Sequence, residues 1–174
     1  MLLYPAGLEF ISAFFGCLYA KVVAVPVYPP RRNQLLSRLT AIVEDADAKV
    51  ALTTKAVLKR VKPILGQTSE LQDLTWLATC DVPTAIERRW EPLDVRGETL
   101  AFLQYTAGST GTPKGVMLSH ANLVHNSAMI THAFENTRSS LGVFWLPSYH
   151  DMGLIGGILQ PLYIGRPNMM MSPM

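Results

Sequence analysis

The sequence has few cysteines and few charged residues, and each shortage argues against a class of protein. Its two cysteines, Cys17 and Cys80, are too few for a disulfide scaffold and lack the spacing of a metal site. We therefore expect two buried thiols in a reducing compartment. Charged residues make up 16% of the chain, and the net charge is only +2. Because no dense block of lysine and arginine occurs, the composition does not indicate a nucleic-acid partner.

Long hydrophobic runs are also missing. Two uncharged stretches are strongly apolar: residues 10–20, which are too few to span a bilayer, and residues 152–165, which glycines and a proline interrupt. The opening residues, MLLYPAGLEF, lack the basic start of a signal peptide. The sequence therefore predicts no membrane span and a cytoplasmic location. A hydrophobic content of 49% is instead typical of a globular domain.

Helical and strand-like segments alternate along the chain. This alternation predicts an α/β fold with a mainly parallel sheet flanked by helices. The predicted helices cover residues 8–20, 35–45, 54–65, 119–134 and 154–163. The predicted strands cover residues 22–27, 48–52, 75–78, 100–105, 114–118 and 143–146, with a further strand-like segment at 167–174.

Residues 105–115, YTAGSTGTPKG, combine small residues with hydroxyl groups and one cation. Its three glycines let the backbone approach a ligand, its four hydroxyl side chains add donors, and Lys114 adds a positive charge. This composition predicts a phosphate-binding loop, although a polar hairpin without a ligand has the same residue types. The candidate ligand-binding residues are Thr106, Gly108, Ser109, Thr110, Gly111, Thr112 and Lys114.

The loop does not match a Walker A motif, which reads GxxxxGK[ST] and leads directly into a helix. Counting from Gly108, Pro113 stands where the second glycine is required, and Gly115 follows Lys114 in place of Ser or Thr. A strand-like run comes next, and a helix follows only after Ser119, a suitable N-cap. The loop is therefore predicted to form the tip of a hairpin between two strands.

The loop resembles the signature YTSGSTGxPKG of the acyl-adenylate-forming superfamily, with Ala107 in place of the commoner serine. A second segment, WLPSYHDMG at 145–153, resembles the superfamily's Pro-x-x-His-x-x-Gly element. The residue sequences of both regions are similar to those of fatty-acyl-AMP ligases: WLPxYHDMGLIGGILQPLY around the histidine and GVMLSHANLVHNS after the loop. YPAGLEFI near the start and VPVYPPR after it also resemble that subgroup, so the resemblance covers essentially the whole chain.

The resemblance implies that residues 1–174 form part of the N-terminal AMP-binding domain. It also implies an ATP-dependent activation of a fatty acid to acyl-adenylate, with release of pyrophosphate and transfer to an acyl carrier protein or polyketide synthase. Mg²⁺ is expected with ATP, but the family's metal-binding glutamate and its C-terminal lid with a catalytic lysine have no counterpart in this sequence. We therefore expect the chain to be inactive alone. An acyl-CoA ligase fragment and a nucleotide-binding remnant without activity are the alternatives.

The resemblance also implies two catalytic residues. Lys114 would offset the charge on the departing pyrophosphate. His150 would lie beside the acyl carboxylate and the adenylate, although a lone histidine is often structural. Asp151 could orient the His150 ring or cap the next helix, and the sequence favours neither.

Two further groups of residues are open to interpretation. Gly153, Gly156 and Gly157 could leave room for an alkyl chain or allow close helix packing, and the sequence does not decide between these. The methionines at 169–171 are predicted to form a core strand rather than a lipid-binding patch.

Overall fold

The computed structural model describes residues 1–29, 36–66, 68–106 and 113–172. Three strands form a parallel sheet in the order β1-β2-β3, a fourth and fifth form an antiparallel hairpin, and the last two pair in parallel. The strands are β1 (Leu2–Leu3), β2 (Val50–Thr53), β3 (Thr75–Ala78), β4 (Leu100–Thr106), β5 (Lys114–Ser119), β6 (Gly142–Phe144) and β7 (Asn168–Met170). The predicted α/β class with mainly parallel strands is confirmed.

The segment predicted as a strand at 22–27 is not a regular strand. It makes two isolated parallel bridges, one between Pro26 and Leu2 of β1 and the other between Ala24 and Phe102 of β4. Pro26 has no N–H group, so a continuous ladder of hydrogen bonds cannot form through it. Through these two bridges, residues 22–27 lie between β1 and β4, so β4 is next to the parallel sheet.

The helices lie close to their predicted positions. Thr54 caps α3 by accepting a hydrogen bond from the N–H of Val57 at 3.2 Å, and Ser119 forms a capping box with Asn122 at the start of α5. The helices are α1 (Leu8–Tyr19), α2 (Ser37–Asp45), α3 (Lys55–Leu65), α4 (Ser69–Gln72), α5 (His120–Ala133), α6 (Asp151–Leu154) and α7 (Gln160–Ile164), with 3₁₀ turns at Thr79–Asp81 and Thr84–Arg89.

Two apolar clusters cover the two faces of the sheet. Because successive strand residues point to opposite faces, Leu2 and Phe102 belong to one cluster, whereas Leu3 and Tyr105 belong to the other. The first cluster includes Phe14 of α1, whose ring meets that of Phe102 edge-on at 5.5 Å. The second cluster includes side chains of α2 and α4. Helices therefore flank both faces, as the sequence predicted.

The last helical segment begins earlier than predicted and contains a π turn at Ile155–Leu159, between α6 and α7. Its glycines are explained by close packing. A Cβ atom on Gly153 would lie 2.1 Å from the backbone oxygen of Pro147. A Cβ atom on Gly156 or Gly157 would lie 3.2 Å from the ring of Phe144.

Two predictions of burial are wrong. Met169, Met170 and Met171 are 58%, 40% and 56% exposed, since β7 pairs only with β6 among the described residues. Cys17 is buried as predicted, but Cys80 is exposed because it lies in a 3₁₀ turn beyond the end of β3.

None of the helices in the described part of the chain combines the length and the apolar composition that a membrane span requires.

Candidate functional site

The predicted hairpin is present, and the end that carries its connecting loop holds two of the candidate residues. Thr106 is the last residue of β4 and lies directly opposite Lys114, the first residue of β5. Residues directly opposite each other in an antiparallel pair share one face, so the Thr106 hydroxyl and the Lys114 ammonium group belong to the same side of the hairpin. The remaining loop candidates lie outside the described residues: Gly108, Ser109, Thr110, Gly111 and Thr112.

Tyr105 attaches the loop end of the hairpin to α2. Its hydroxyl group donates a hydrogen bond to Oδ2 of Asp45 at 2.5 Å, and burial together with this carboxylate raises the pKa of Tyr105. The ring lies over Gly115, where an added Cβ atom would be only 2.9 Å from Cζ of the tyrosine. The glycine that ends the motif therefore makes room for the tyrosine that begins it.

His150 lies immediately before α6. Its backbone N–H donates to the oxygen of Pro147 at 3.0 Å, and its Nδ1 lies 2.5 Å from Oδ1 of Asp151. The same oxygen accepts a hydrogen bond from the N–H of Met152 at 2.6 Å. Asp151 therefore orients the ring and accepts from one N–H of the first turn, but the N-cap position of α6 belongs to His150, and no side chain caps the helix there. Because a carboxylate only accepts, Nδ1 carries the hydrogen and Nε2 remains available.

Thr106 and His150 line the same cleft, which has a volume of about 290 Å³. The hairpin motif and the histidine motif, well separated in sequence, therefore meet in the fold. Lys114 lies beside Thr106 on the hairpin but is not among the lining residues. The other described residues that line the cleft are Pro26, Val27, Tyr28, Arg38, Ile42, Gln104, Tyr105, Tyr149 and Asp151. Of these, Tyr28 and Tyr149 pack edge to face, with their ring centroids 5.0 Å apart.

Sequence reasoning missed Gln104, which lies on β4 two residues before Thr106. The residue is 8% exposed, and its side-chain oxygen Oε1 is shielded from solvent and accepts no hydrogen bond from the described residues. The signal was present in the sequence, since Gln104 is the one polar residue in the otherwise apolar run from 100 to 105. Buried amides are usually hydrogen-bonded, so this one requires an explanation.

A second cavity, of about 570 Å³, shares Asp151 with the cleft. Apolar side chains from α5, β6 and the last helical segment dominate its lining, including Phe134, Phe144 and Ile155. Its volume lies within the range of small-molecule sites, which is roughly 300–1,000 Å³. Together the two spaces could accept a ligand with a polar head and an apolar chain.

A sequence profile of the AMP-binding enzyme family matches residues 1–174. The chain is 48% identical to the medium-chain-fatty-acid–[acyl-carrier-protein] ligase JamA of Moorena producens (strain JHB), covering 99% of this chain and 30% of the relative. It is 34% identical to the long-chain-fatty-acid–AMP ligase FadD32 of Mycobacterium marinum (strain ATCC BAA-535 / M), covering 99% and 27% respectively. The resemblance to fatty-acyl-AMP ligases is thus confirmed.

The fold has the same relatives. The structure matches a crystal structure of fatty acyl-adenylate ligase from L. pneumophila in complex with acyl adenylate and pyrophosphate. The TM-score is 0.88 at 38% sequence identity, over 99% of this chain and 30% of that chain. The chain therefore spans about 30% of the length of the relatives it matches. It belongs to the family of AMP-binding enzymes.

Proposed function

We propose that this chain forms part of an enzyme that uses ATP to convert a fatty acid into an acyl-adenylate, with release of pyrophosphate. The observation that supports the proposal is the cleft that Thr106 and His150 share. This cleft joins the loop end of the candidate phosphate-binding hairpin to the segment that carries His150. A nucleotide phosphate and a carboxylate held there would be adjacent. Holding two reactants in this way supplies much of the catalysis in reactions of this kind.

In the proposed reaction, an oxygen of the carboxylate attacks the α-phosphorus of ATP, and the bond from that phosphorus to pyrophosphate breaks. Thr106 donates a hydroxyl hydrogen to the phosphates, together with the glycines and hydroxyl groups of 108–112. Lys114 is assigned to the negative charge that grows on the departing pyrophosphate. His150, with its ring oriented by Asp151 at 2.5 Å, contacts the carboxylate or the new adenylate through Nε2.

The apolar cavity next to the cleft is assigned to the alkyl chain of the acid. Asp151 lines both spaces, so a ligand with its head group in the cleft and its chain in the cavity would pass beside this residue. Gly156 contributes to the lining, although its packing against Phe144 already requires a glycine.

Magnesium and the final acceptor also belong to the proposal. Mg²⁺ would accompany ATP, but Asp151 is the one carboxylate among the described residues that line the cleft, and His150 and the Met152 N–H already engage it. We therefore assign no Mg²⁺ ligand to this chain. An acyl carrier protein, alone or within a polyketide synthase, is the proposed acceptor, because the relative from Moorena producens is named as an acyl-carrier-protein ligase.

The test is a calorimetric titration of the purified chain with ATP. We expect weak binding, which Lys114→Ala reduces by up to about fivefold, since an exposed charge contributes up to about 1 kcal/mol. Lys59→Ala is the matched control, because Lys59 is equally exposed but lies on α3, away from the hairpin. Absence of heat at millimolar ATP would contradict the proposal, and so would an equal loss of affinity in both variants.

A further inference from the structure

The amide of Gln104 has no structural role that its surroundings explain. The residue is 8% exposed, and Oε1 is shielded from solvent with no hydrogen-bond donor in the described part of the chain. Thr53 of β2, by contrast, is fully buried and donates its hydroxyl hydrogen to the oxygen of Leu3 at 2.6 Å. A buried amide with an unpaired oxygen destabilises the folded chain, whereas an apolar side chain of the same size would not.

The position of Gln104 gives the amide a candidate ligand. It lines the cleft with Thr106 and His150, and it shares one face of β4 with Thr106. Two residues of a strand span about 7 Å, so a group that contacts Gln104 lies just beyond a phosphate held at Thr106. In the proposed reaction, that is the place of the carboxyl group that attacks the phosphorus.

The charges around the cleft favour an anionic group. Arg38 and the Thr106 hydroxyl are donors that line it. The carboxylate of Asp151 is engaged by His150 and by the next backbone N–H. An amide has a donor and an acceptor at the same terminus, and rotation of χ3 by 180° exchanges them. Gln104 can therefore present Nε2 to an anion.

We propose that Gln104 binds the carboxyl group of the acid substrate through its side-chain amide. This inference rests on the proposed function and adds to it a residue that recognises the acid. The amide donates from Nε2 to one carboxylate oxygen, which leaves the other oxygen free to attack the phosphorus. After the χ3 rotation, Nε2 takes the shielded position and donates to the acid, so the position that has no partner in the ligand-free protein gains one.

The first measurement is thermal unfolding of the full 174-residue chain without ligand. Gln104→Met keeps the volume of the side chain and removes the unpaired oxygen, so we expect a melting temperature that is unchanged or higher by about 2–4 °C. The control is Thr53→Val, which removes a paired hydroxyl and should lower the melting temperature. A decrease in Gln104→Met as large as that in Thr53→Val would overturn the inference, because it would mean that the amide has a structural partner.

The second measurement is the stabilisation of each protein by decanoate, by 1-decanol and by ATP, each titrated separately. In Gln104→Met, the dissociation constant for decanoate should rise by roughly ten- to a hundredfold, since a hydrogen bond to a charged group is lost. The constants for 1-decanol and ATP should stay within about twofold. Thr53→Val should bind all three ligands like the wild type.

The outcomes separate this inference from the proposed function. An unchanged decanoate constant in Gln104→Met, with a normal response in the wild type, overturns the inference alone. Equal losses for decanoate and 1-decanol, or a loss confined to ATP, also overturn it, because the amide would then not recognise a carboxylate. If decanoate fails to stabilise the wild-type chain, the result contradicts the proposed function, and the inference fails with it.

Discussion

Replacing Gly153 by alanine should destabilise the protein, because the new methyl group would meet backbone atoms that cannot move aside. The Cβ atom would lie 2.1 Å from the oxygen and 2.7 Å from the carbonyl carbon of Pro147, and 2.9 Å from the oxygen of Leu146. Real Cβ contacts are not this short, so α6 or the turn before it must shift. The same Pro147 oxygen accepts the hydrogen bond from the backbone of His150, so the shift would displace the candidate catalytic residue.

The magnitude follows from two opposing effects. Overpacking typically costs about 1–3 kcal/mol, whereas replacing a glycine inside a helix by alanine gains up to about 1 kcal/mol. Gly16 isolates the second effect, because it lies in α1 with no atom within 4 Å of an added Cβ. We therefore expect Gly16→Ala to raise the free energy of unfolding by about 0.5–1 kcal/mol and Gly153→Ala to lower it by about 1–3 kcal/mol.

Urea denaturation followed by circular dichroism measures both variants on the same scale. The decisive feature is the sign, since one substitution type is expected to stabilise at one site and to destabilise at the other. Two variants of equal stability, or a Gly153→Ala protein more stable than the wild type, would refute the packing argument. Such a result would mean that the turn at Pro147 can open without cost.

Two further predictions concern stability alone. Burial raises the pKa of Tyr4 to about 12, so the folded state holds that proton more tightly than the unfolded state, and the stability present below about pH 10 should fall as the pH rises towards 12. In the wild type this residue should lower the free energy of unfolding by up to about 1.4 kcal/mol per pH unit, and Tyr4→Phe should abolish that contribution. Urea denaturation at several pH values from about 9 to 11 measures the slope, and an equal slope in both proteins would contradict the assignment. Thr54→Ala should lower the unfolding free energy by about 1 kcal/mol, because Thr54 caps α3. Thr68→Ala should lower it less, since Thr68 precedes α4 without making a capping bond with its side chain; equal losses in the same denaturation assay would contradict this difference.

The sequence predicted the elements whose signals are local. The bounds of β3 at Thr75–Ala78 agree with the prediction, and the hairpin follows from an apolar run, a glycine-rich loop and a second short run. Ser119 indicated the start of α5 because capping depends on residues within one turn of the helix. For the same reason, the sequence could place Thr106 and Lys114 on either side of the loop that joins the two strands of the hairpin.

What the sequence did not predict depends on contacts between distant segments. The extended residues at 22–27 meet two different strands through single bridges, and Pro26 prevents a ladder that the apolar pattern alone would favour. The π turn at Ile155–Leu159 lies where two glycines approach Phe144, a contact that no local pattern encodes. Gln104 was visible as a polar residue in an apolar strand, but only the packed structure leaves its oxygen without a donor.

The glycines of the two motifs have a structural role that is separate from any contact with a ligand. Gly115 is needed because the Tyr105 ring crosses β5, and that ring carries the hydroxyl group that binds Asp45 on α2. Gly153 is needed because α6 begins directly against the Pro147 backbone. Both contacts involve residues next to the cleft. Tyr105 lines the cleft, and so does His150, which follows the turn at Pro147. Both glycines therefore have a packing role beside the cleft that does not depend on contact between their backbone and a phosphate.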